Sequence, residues 1–548
     1  MKEAPQSGWR QTPPLLALAL LFGAVHLGTL GGSWRFDDPY ILLFAQGLPN
    51  LHAAFVSPAV WQSFGIPFFT PMQTLAFQLD GLLFQHNAAL FYLHHLAVLL
   101  GITLLTCLLV QRHFGRLAGF AAGLLFLLGA PTHIVSQQLM SRQYAEGLLY
   151  ALLSLLCWLR WVRAQGQGAR IASALFYLLA MLCKEIYAPL PLVLLALSAG
   201  TWPQRLLRMG PHAAVAAVYI VWRSWMLGTV VGGYFNHFSE YAQIGNSWFN
   251  LLGSFWGQGA YRLACLLMLL ACLACVLRRY GRKGLGLVAA AALMLSLPFI
   301  AIQASAEPLQ MRLAFLPWWA CCVLLAVALA QYRVWISGSL ALVLTLAMAA
   351  LTAHAGLITR QAYSAMTDSY DVQSRFLASH DQSVGYVPSG LAAVDLFFQY
   401  GMAGLRQPAA NGSPVNLPFA QAASALPVPT GVHAFDAACR CMRQLPPLAA
   451  KPPLEPAQAI TASIERPMNQ PGMQWQLATA LPSSHWYLYF PKLNASLLIT
   501  DKGRVGFALP PWVDTPVRVM LLTDSGAWAM TPEMRFPALG QRLQYPAP

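Results

Sequence analysis

Two adjacent carboxylates, Asp37 and Asp38, stand at the end of the first long apolar run of the chain, in the sequence "SWRFDDPYILLFAQG". A carboxylate held beside a hydroxyl orients that group and accepts its proton. A carboxylate pair is also able to hold a divalent cation. A single acid at such a position is often an ordinary interface residue. Two adjacent acids favour a functional role, either in proton chemistry or in cation binding.

Lys184 and Glu185 interrupt an otherwise apolar stretch, in "LCKEIYAPLPL". Two interpretations fit this pattern. The two side chains form an ion pair that tolerates burial, or Lys184 binds a phosphate while Glu185 or a neighbour orients it. Charged side chains at membrane depth are expensive and usually functional, which favours the second interpretation.

Further polar side chains lie near the ends of apolar runs. Arg312 offers a planar guanidinium that suits phosphate, although arginines at such positions also snorkel to the membrane interface. Arg142 and Glu146 are spaced i,i+4 on one helix face, which is typical of a structural pair as well as of a binding site. His95 and His133 are candidate supporting residues, although a single histidine in such a place is commonly a packed polar residue.

The composition assigns these residues to a membrane protein. Of 548 residues, 57% are hydrophobic and 9% are charged, with a mean hydropathy of +0.52. In soluble domains, about a quarter of the residues are charged. The net charge of +14 does not indicate nucleic acid binding, because the lysines and arginines lie in short loops between apolar runs. We therefore expect an α-helical polytopic membrane protein.

The apolar runs predict about eleven membrane-spanning helices of roughly twenty residues each. The first is predicted to be an uncleaved span, because it is longer than the apolar core of a signal peptide. The two spans that flank Lys184 are too short to cross the membrane as straight helices. They are either tilted or joined at a break that is buried in protein. The predicted spans are 13–32, 91–111, 117–130, 143–162, 170–183, 187–200, 212–229, 260–277, 284–303, 313–331 and 335–357.

The distribution of charge orients these spans. With a cytoplasmic N-terminus, the inner loops and the N-terminal tail hold about fourteen lysines and arginines and a single acid, Glu3. The outer side collects the other acids of this region and the longest loops, 33–90 and 230–259. The positive-inside rule therefore predicts a multi-pass protein with a cytoplasmic N-terminus. The composition leans towards a bacterial inner membrane, with the candidate site and the C-terminal domain in the periplasm.

From about residue 360 the sequence is rich in proline and lacks long apolar runs. Short β-branched and aromatic runs with Asp-x-Gly and Asp-Ser-Gly turns predict a soluble β-rich domain. The predicted division is a transmembrane domain, 1–358, which includes the large external loop 33–90, and a periplasmic domain, 359–548. Within the latter, 402–460 is expected to be an irregular linker. Cys439 and Cys441 form either a C-x-C disulfide or two separate bonds in an oxidising compartment.

Acids for proton chemistry and cations for a phosphate, gathered at one membrane face, fit a substrate with a phosphate head and a membrane-embedded tail. A polyprenyl-phosphate sugar is such a substrate. The sequence contains no H-E-x-x-H motif, no Walker loop and no G-x-G-x-x-G in a suitable context. We therefore expect no nucleotide cofactor and no nucleic acid partner. No metal is required if lysine and arginine neutralise the phosphate, and a divalent cation at the acids stays an alternative.

Several motifs, in order along residues 30–330, resemble those of GT-C fold glycosyltransferases. These are membrane enzymes that use lipid-phosphate sugars. The chain is most similar to bacterial relatives of the transmembrane and tetratricopeptide-repeat O-mannosyltransferases. The motifs are "WRFDDPYI", "FFTPMQTLAFQLDGLLFQHNAALFYLHHLAVLL", "APTHIVSQQLMSRQYAEGLLYALLSLLCW", "ALFYLLAMLCKEIYAPLPLVLL" and "EPLQMRLAFLPWWACCVLLA".

The resemblance implies an inverting glycosyl transfer. Asp37 is then the first choice for the base that activates the acceptor hydroxyl, and Asp38 orients that hydroxyl or is the alternative base. Lys184 and Arg312 hold the donor phosphate, with Arg142 as a weaker candidate. The acceptor is either a periplasmic protein of the pilin type or a surface glycolipid.

Some positions depart from the family pattern. Val135 stands where the family has a glutamate, and "RLAFLP" replaces its aromatic motif. The tetratricopeptide repeats are absent, so the resemblance leaves the acceptor open. A transporter or flippase for a lipid-linked sugar is the alternative, although such proteins usually have internal repeats and charges at the membrane midplane. A scaffold without activity is a third possibility.

Overall fold

The chain divides into two compact units in the computed structural model. The helical unit contains Met1–Gly32, Pro67–Ala76 and Phe84–Ser364, and the mixed unit contains Ser33–Ile66, Phe77–Leu83 and Ala365–Pro548. The division therefore runs through the loop 33–90 as well as near residue 364. The described residues are 12–64, 68–164, 166–198, 200–228, 270, 274, 277, 281, 308–332, 338–388, 393–406, 414–417, 431–446, 453–465, 473–482, 484–505, 516–535, 537–538 and 540–546.

Long apolar sequences form the helices of the helical unit, because a helix satisfies its own backbone hydrogen bonds where water is absent. Short 3-10 turns lie at Leu27–Gly31, Leu139–Ser141, Glu185–Tyr187 and Pro308–Ala314. The helices are α1 (Thr12–His26), α5 (Pro71–Phe84), α6 (Ala88–Phe114), α7 (Arg116–Leu128), α8 (Ala130–Ser136), α9 (Arg142–Ala164), α10 (Gln167–Cys183), α11 (Leu190–Leu197), α12 (Trp202–Arg208), α13 (Gly210–Leu227), α14 (Phe315–Tyr332) and α15 (Gly338–Ser379). Helices α5 and α15 continue into the mixed unit.

Within the described residues, four helical segments are long and apolar enough to cross a membrane. They are Pro13–Gly31, Ala88–Phe114, Leu139–Ala164 and Met311–Ala328. Helices α7 and α8 form a fifth candidate that bends by 58°. These segments confirm an α-helical protein with apolar spans. The count of about eleven stays a prediction, and the predicted spans 260–277 and 284–303 lie outside the described residues, except for isolated positions.

The chain around Lys184 contains a break between two short apolar helices, which was one of the two expected alternatives. Helix α10 ends at Cys183, and Lys184 is extended, with φ −161° and ψ 138°. Two tyrosines hold the break in place, because Tyr177 Oη donates to Ala188 O at 2.7 Å and Tyr187 Oη donates to Tyr144 O at 2.5 Å. Helix α11 then begins at Leu190. The break therefore presents Lys184 and Glu185 between two helix ends.

Among the described residues of the mixed unit, three β-sheets confirm the predicted β-rich C-terminal region. Their orders are β2-β1-β3-β4, β13-β5-β6-β9 and β11-β10-β7-β8, with β12 also pairing with β10. The strands are β1 (Gly385–Val387), β2 (Val415–Asn416), β3 (Val432–Asp436), β4 (Cys441–Gln444), β5 (Thr461–Glu465), β6 (Met473–Ala478), β7 (Ser484–Phe490), β8 (Ala495–Ile499), β9 (Lys502–Val505), β10 (Pro516–Thr523), β11 (Trp528–Met530), β12 (Met534–Arg535) and β13 (Arg542–Tyr545).

The sheets β13-β5-β6-β9 and β11-β10-β7-β8 share one hydrophobic core. Alternate residues of each strand face inward, as in β6, where Trp475 and Leu477 are buried, and in β10, where Val519 and Leu521 are buried. Because side chains alternate along a strand, this register fixes which residues build the core. The predicted Asp-Ser-Gly turn joins β10 to β11, with Gly526 at φ 80°. The Asp-x-Gly turn after β8 instead leads to β9 in the other of these two sheets.

The expectation of an irregular linker at 402–460 is wrong for its described residues. They include β2, β3, β4 and the end of a helix, which are too short or too rich in alanine to show in the composition. Cys439 and Cys441 form the C-x-C disulfide at the turn between β3 and β4. The remaining helices of the mixed unit are α2 (Asp38–Gln46), α3 (Ala53–Val56), α4 (Pro58–Phe64), α16 (Ala393–Arg406) and α17 (Pro456–Ala459), with a 3-10 turn at Pro491–Leu493.

Candidate functional site

Asp37 and Asp38 lie at the start of α2 in the mixed unit, in a segment that we call the acidic turn, Ser33–Tyr40. Phe36 has a positive φ of 49° and is almost fully buried. Asp38 is fully buried, and its Oδ2 accepts a hydrogen bond from Arg35 N at 3.3 Å. Asp37 remains partly exposed. The two acids therefore have different surroundings, and Asp37 is the more accessible.

A buried ion pair anchors the acidic turn to α15 within the mixed unit. Arg35 Nε donates to Asp371 Oδ1 at 2.8 Å, and Arg35 Nη2 donates to Asp371 Oδ2 at 2.6 Å. Asp371 Oδ1 also accepts a hydrogen bond from Ser33 N at 2.8 Å. Such a bidentate pair fixes geometry as well as contributing energy. Asp371 therefore holds the chain on the N-terminal side of the two acids.

Helix α16 holds the other side of the acidic turn. The ring of Tyr40 lies 4.9 Å from that of Phe397 and 5.8 Å from that of Tyr400, measured between centroids. Gly401 lies against the backbone of Pro39 and Tyr40, where a Cβ atom would be 2.3 Å from Tyr40 N. That separation is far below van der Waals contact. The close approach of α16 to α2 therefore depends on glycine at position 401.

Lys184 is buried in the helical unit, with 5% of its surface exposed. Its Nζ lies 3.3 Å from the centroid of the Phe68 ring and 5.6 Å from that of Tyr144, which provides cation–π contacts. In the described part of the chain, no carboxylate lies within ion-pair distance of Lys184 Nζ. Burial lowers the pKa of Lys184 to about 8; Glu185 opposes that shift, and the positive charges of Arg312 and Arg223 add to it.

Glu185 pairs with Arg223 of α13 and not with Lys184. Arg223 Nε donates to Glu185 Oε1 at 3.0 Å, and Phe69 N donates to the same oxygen at 3.2 Å. The interpretation of Lys184 and Glu185 as a self-neutralising pair is therefore wrong. The positive charges of Arg223 and Arg312 both act on Lys184, and we call these three residues the cation cluster.

Arg312 lies in the 3-10 turn Pro308–Ala314 and is half-buried. Its Nη1 donates to Met140 Sδ at 3.6 Å, and a thioether sulfur is a weak acceptor. Within the described ranges, no carboxylate forms an ion pair with Arg312. Its guanidinium therefore keeps most of its capacity to donate to an anion.

Arg142, in contrast, is committed to neighbours within the helical unit. It is fully buried, with Nε donating to Glu146 Oε1 at 3.1 Å and Nη2 lying 2.8 Å from His94 Nδ1. This geometry favours the structural-pair interpretation of Arg142 and Glu146. His95 is similarly occupied, because its Nε2 lies 2.8 Å from Val135 O.

His133 belongs to a buried polar cluster between helices. Its ring centroid lies 5.0 Å from that of His26, and His26 Nδ1 lies 3.2 Å from Ser136 Oγ. His26 Nε2 donates to Leu127 O at 3.0 Å. Because His133 is 1% exposed, its position fits a packed polar residue better than a ligand.

Sequence reasoning missed Arg223, Asp371 and Gly401. Arg223 gave a signal, since it is an arginine inside the predicted span 212–229. Asp371 gave none, because its partner Arg35 is 336 positions away. Gly401 lies in "GMAG", a small-residue pattern that permits close helix approach, but the pattern does not identify the partner helix.

Each compact unit thus holds one part of the predicted site. The acids belong to the mixed unit, and Lys184, Arg312 and Arg142 belong to the helical unit. Among the described residues, no group of three His, Cys, Asp or Glu side chains is arranged to hold a metal ion. The sequence matches no protein-family model and no curated protein.

Proposed function

We propose that this protein is an integral membrane glycosyltransferase of the inverting, GT-C-like type. It moves a sugar from a polyprenyl-phosphate donor to a hydroxyl group of a periplasmic acceptor, which is a pilin-type protein or a surface glycolipid. The N-terminus lies in the cytoplasm, and the chemistry takes place at the periplasmic face of a bacterial inner membrane.

The observation that carries this proposal is Lys184, a buried ammonium group that has no carboxylate partner among the described residues. Burying a charge is unfavourable unless it gains a partner. Arg312 also lacks an ion pair in that part of the chain, and Arg223 adds a third positive charge nearby. A cluster with surplus positive charge supports binding of an anion such as the phosphate of a lipid donor.

The acidic turn supports the second half of the reaction. Asp37 is the more accessible acid and acts as the base, while the buried Asp38 accepts a hydrogen bond from Arg35 N and keeps the turn in shape. The acceptor hydroxyl gives its proton to the Asp37 carboxylate, and its oxygen forms a bond to the anomeric carbon. The bond from that carbon to the phosphate oxygen breaks, and polyprenyl phosphate leaves with the electron pair.

The cation cluster stabilises the negative charge that develops on the leaving phosphate. Lys184 and Arg312 donate hydrogen bonds to its oxygens, and charge-assisted bonds of this kind are among the stronger ones in proteins. Arg223 contributes through its field while it remains paired with Glu185. Arg142 and Glu146 support the cluster as a buried structural pair, with His95 and His133 packed in neighbouring helix contacts.

A transporter or flippase for a lipid-linked sugar is the second candidate. The break between α10 and α11 favours it, because interrupted helices with charged residues at the break are typical of transport sites. A flippase needs the cation cluster to hold the phosphate, but it does not need a base in the acidic turn. The behaviour of Asp37 variants therefore separates the two functions.

The test uses membranes that contain the wild-type protein, Asp37→Asn or Lys184→Ala, each supplied with radiolabelled polyprenyl-phosphate sugars. Label is followed into protein and into lipid separately, and its leaflet is measured as well. We expect the wild type to transfer label, Asp37→Asn to lose transfer, and Lys184→Ala to transfer less label at a donor concentration below its raised KM. The control is Lys502→Ala, which removes an exposed lysine from β9. If label changes leaflet in the wild type and in Asp37→Asn without entering an acceptor, the transferase proposal fails.

A further inference from the structure

We propose that Asp371 and Gly401 are positioning residues, which hold the acidic turn so that the Asp37 carboxylate keeps one orientation towards the acceptor hydroxyl. The role of Asp37 rests on the proposed function. The holding of the turn does not, and it is measurable on its own. Neither residue touches the reacting atoms, since Asp371 acts through Arg35 and Gly401 acts through the backbone of Pro39 and Tyr40.

The first support comes from the number of bonds that converge on Asp371. Its two carboxylate oxygens accept from Arg35 Nε, Arg35 Nη2 and Ser33 N, at 2.6 to 2.8 Å. Ser33 Oγ also lies 2.7 Å from Ser374 Oγ, one helical turn further along α15. Asp371 and Arg35 are both buried, so water does not compete strongly for these bonds. The segment that leads to Asp37 is therefore fixed to a long helix.

The second support comes from the backbone contact at Gly401. A Cβ atom there would lie 2.5 Å from Pro39 C as well as 2.3 Å from Tyr40 N. These are backbone atoms, which cannot turn aside as the end of a side chain can. Gly401 therefore sets how closely α16 approaches the residues that directly follow Asp38. The turn is held before and after its two acids by different helices.

The conformation of Phe36 explains why such holding is needed. A bulky residue with φ 49° is unusual, because the left-handed region is unfavourable for residues other than glycine. Conformations of this kind persist when surrounding structure over-determines them. The Phe36 ring lies 4.5 Å from the Tyr370 ring, beside Asp371 on α15. The same stretch of helix thus fixes both the ring and the arginine of the turn.

The first experiment compares Gly401→Ala with Gly404→Ala in the full-length protein. Both changes add one methyl group to α16. At position 404 the new Cβ would meet the end of the Leu43 side chain, which is able to move. We expect Gly401→Ala to lower kcat for transfer at least tenfold with the donor KM within twofold, and Gly404→Ala to leave both within twofold. Equal effects of the two variants on kcat would overturn the role of Gly401.

The second experiment measures hydrogen–deuterium exchange of residues 35–41 in the wild type and in Asp371→Asn. We expect at least tenfold faster exchange in this segment, while the amides of β7 and β10 keep their wild-type rates. The control is Glu465→Gln, which breaks the ion pair of Glu465 with Arg542 elsewhere in the mixed unit. Unchanged exchange at 35–41 in Asp371→Asn would overturn the role of Asp371.

The two readouts separate this inference from the proposed function. If the wild type transfers no sugar, the function fails, and the exchange experiment still decides whether Asp371 holds the turn. If Asp371→Asn unfolds the mixed unit, exchange rises in β7 and β10 as well. In that case exchange at 35–41 is compared between Gly401→Ala and Gly404→Ala, and this comparison decides whether the acidic turn is held by the helix beside it. If transfer occurs and the turn loosens without a fall in kcat, positioning is overturned.

Discussion

In the acidic turn, the buried charge of Arg35 is met by Asp371 through two hydrogen bonds. At the break between α10 and α11, the buried charge of Lys184 faces aromatic rings and meets no carboxylate within the described residues. Both positions are about equally buried, so solvent exposure does not explain the difference. A charged side chain that fixes the backbone needs a permanent partner. A charged side chain that binds a substrate anion must keep hydrogen-bond donors available for that anion. We therefore interpret Arg35 as structural and Lys184 as functional.

Substitutions of the two acids of the turn should have the largest effect on the transfer rate. They test whether the different burial of Asp37 and Asp38 corresponds to different roles. We expect Asp37→Asn to lower the transfer rate by about 100- to 10,000-fold, the usual range for loss of a general base, while the donor still binds. Rates are measured with saturating donor, and donor binding is measured separately. Asp38→Asn should leave more activity than Asp37→Asn. The reverse order would exchange the roles of the two acids.

Stability measurements test the same contrast without reference to activity. Arg35→Met leaves Asp371 buried without its partner, so we expect it to lower the free energy of unfolding by about 3–5 kcal/mol, as when one member of a buried pair is removed. Lys184→Met removes a charge that has no carboxylate partner in the described part of the chain, so it should leave stability unchanged or slightly raised. Denaturant unfolding of the purified protein gives both values. A large loss of stability in Lys184→Met would show that its ammonium group has a structural partner.

The members of the cation cluster should differ in their effect on donor binding. We expect Lys184→Ala and Arg312→Ala each to raise the donor KM by about 10- to 100-fold, which corresponds to the loss of one charge-assisted hydrogen bond. Donor titrations measure this directly. Arg170→Ala is a suitable control, because Arg170 donates to the backbone carbonyls of Leu207 and Arg208 and lies over the Trp161 ring. An unchanged KM in Lys184→Ala would remove the lysine from the donor site.

The smallest of the expected effects is a dependence of donor binding on pH, which follows from the protonation of Lys184. Burial lowers the pKa of Lys184 to about 8, so its charge is present below pH 8 and is lost as the pH rises further. We expect donor affinity to fall by up to about tenfold per pH unit above 8, as one proton is required for binding. Lys184→Arg should flatten this dependence, since arginine stays charged. An identical slope in both proteins would assign the titration to another group.

The sequence predicted those parts of the fold that depend on local composition. The long apolar helices α1, α6, α9 and α14 appear where apolar runs predicted them. Each of them is predictable from its own sequence, because a helix makes its backbone hydrogen bonds within the same run of residues. The short runs that flank Lys184 indicated either tilted spans or a break, and the structure has the break. The β-rich region was visible in its aromatic and β-branched runs and in the turn at Gly526.

The parts that escaped prediction depend on contacts between distant residues. The strands β2 to β4 are short and form only because they pair with one another and with β1, so composition alone indicated a linker. The pairing of Glu185 with Arg223 required knowledge of which helix lies beside the break. The Arg35–Asp371 pair and the approach of Gly401 to Tyr40 join segments that no local pattern connects. Sequence therefore identified the acids and cations, but not what holds them.

The sequence distance between Arg35 and Asp371 also sets a minimum time during synthesis before the two residues can pair. A chain that grows at about 5–20 residues per second needs roughly 17–67 s to add the 336 positions between them. During that interval the acidic turn has already been synthesised, but Asp371 and Gly401 do not yet exist. The acidic turn therefore cannot take up its final conformation until the later segment has been added. Under the proposed function, transfer activity then begins only after this late step of synthesis.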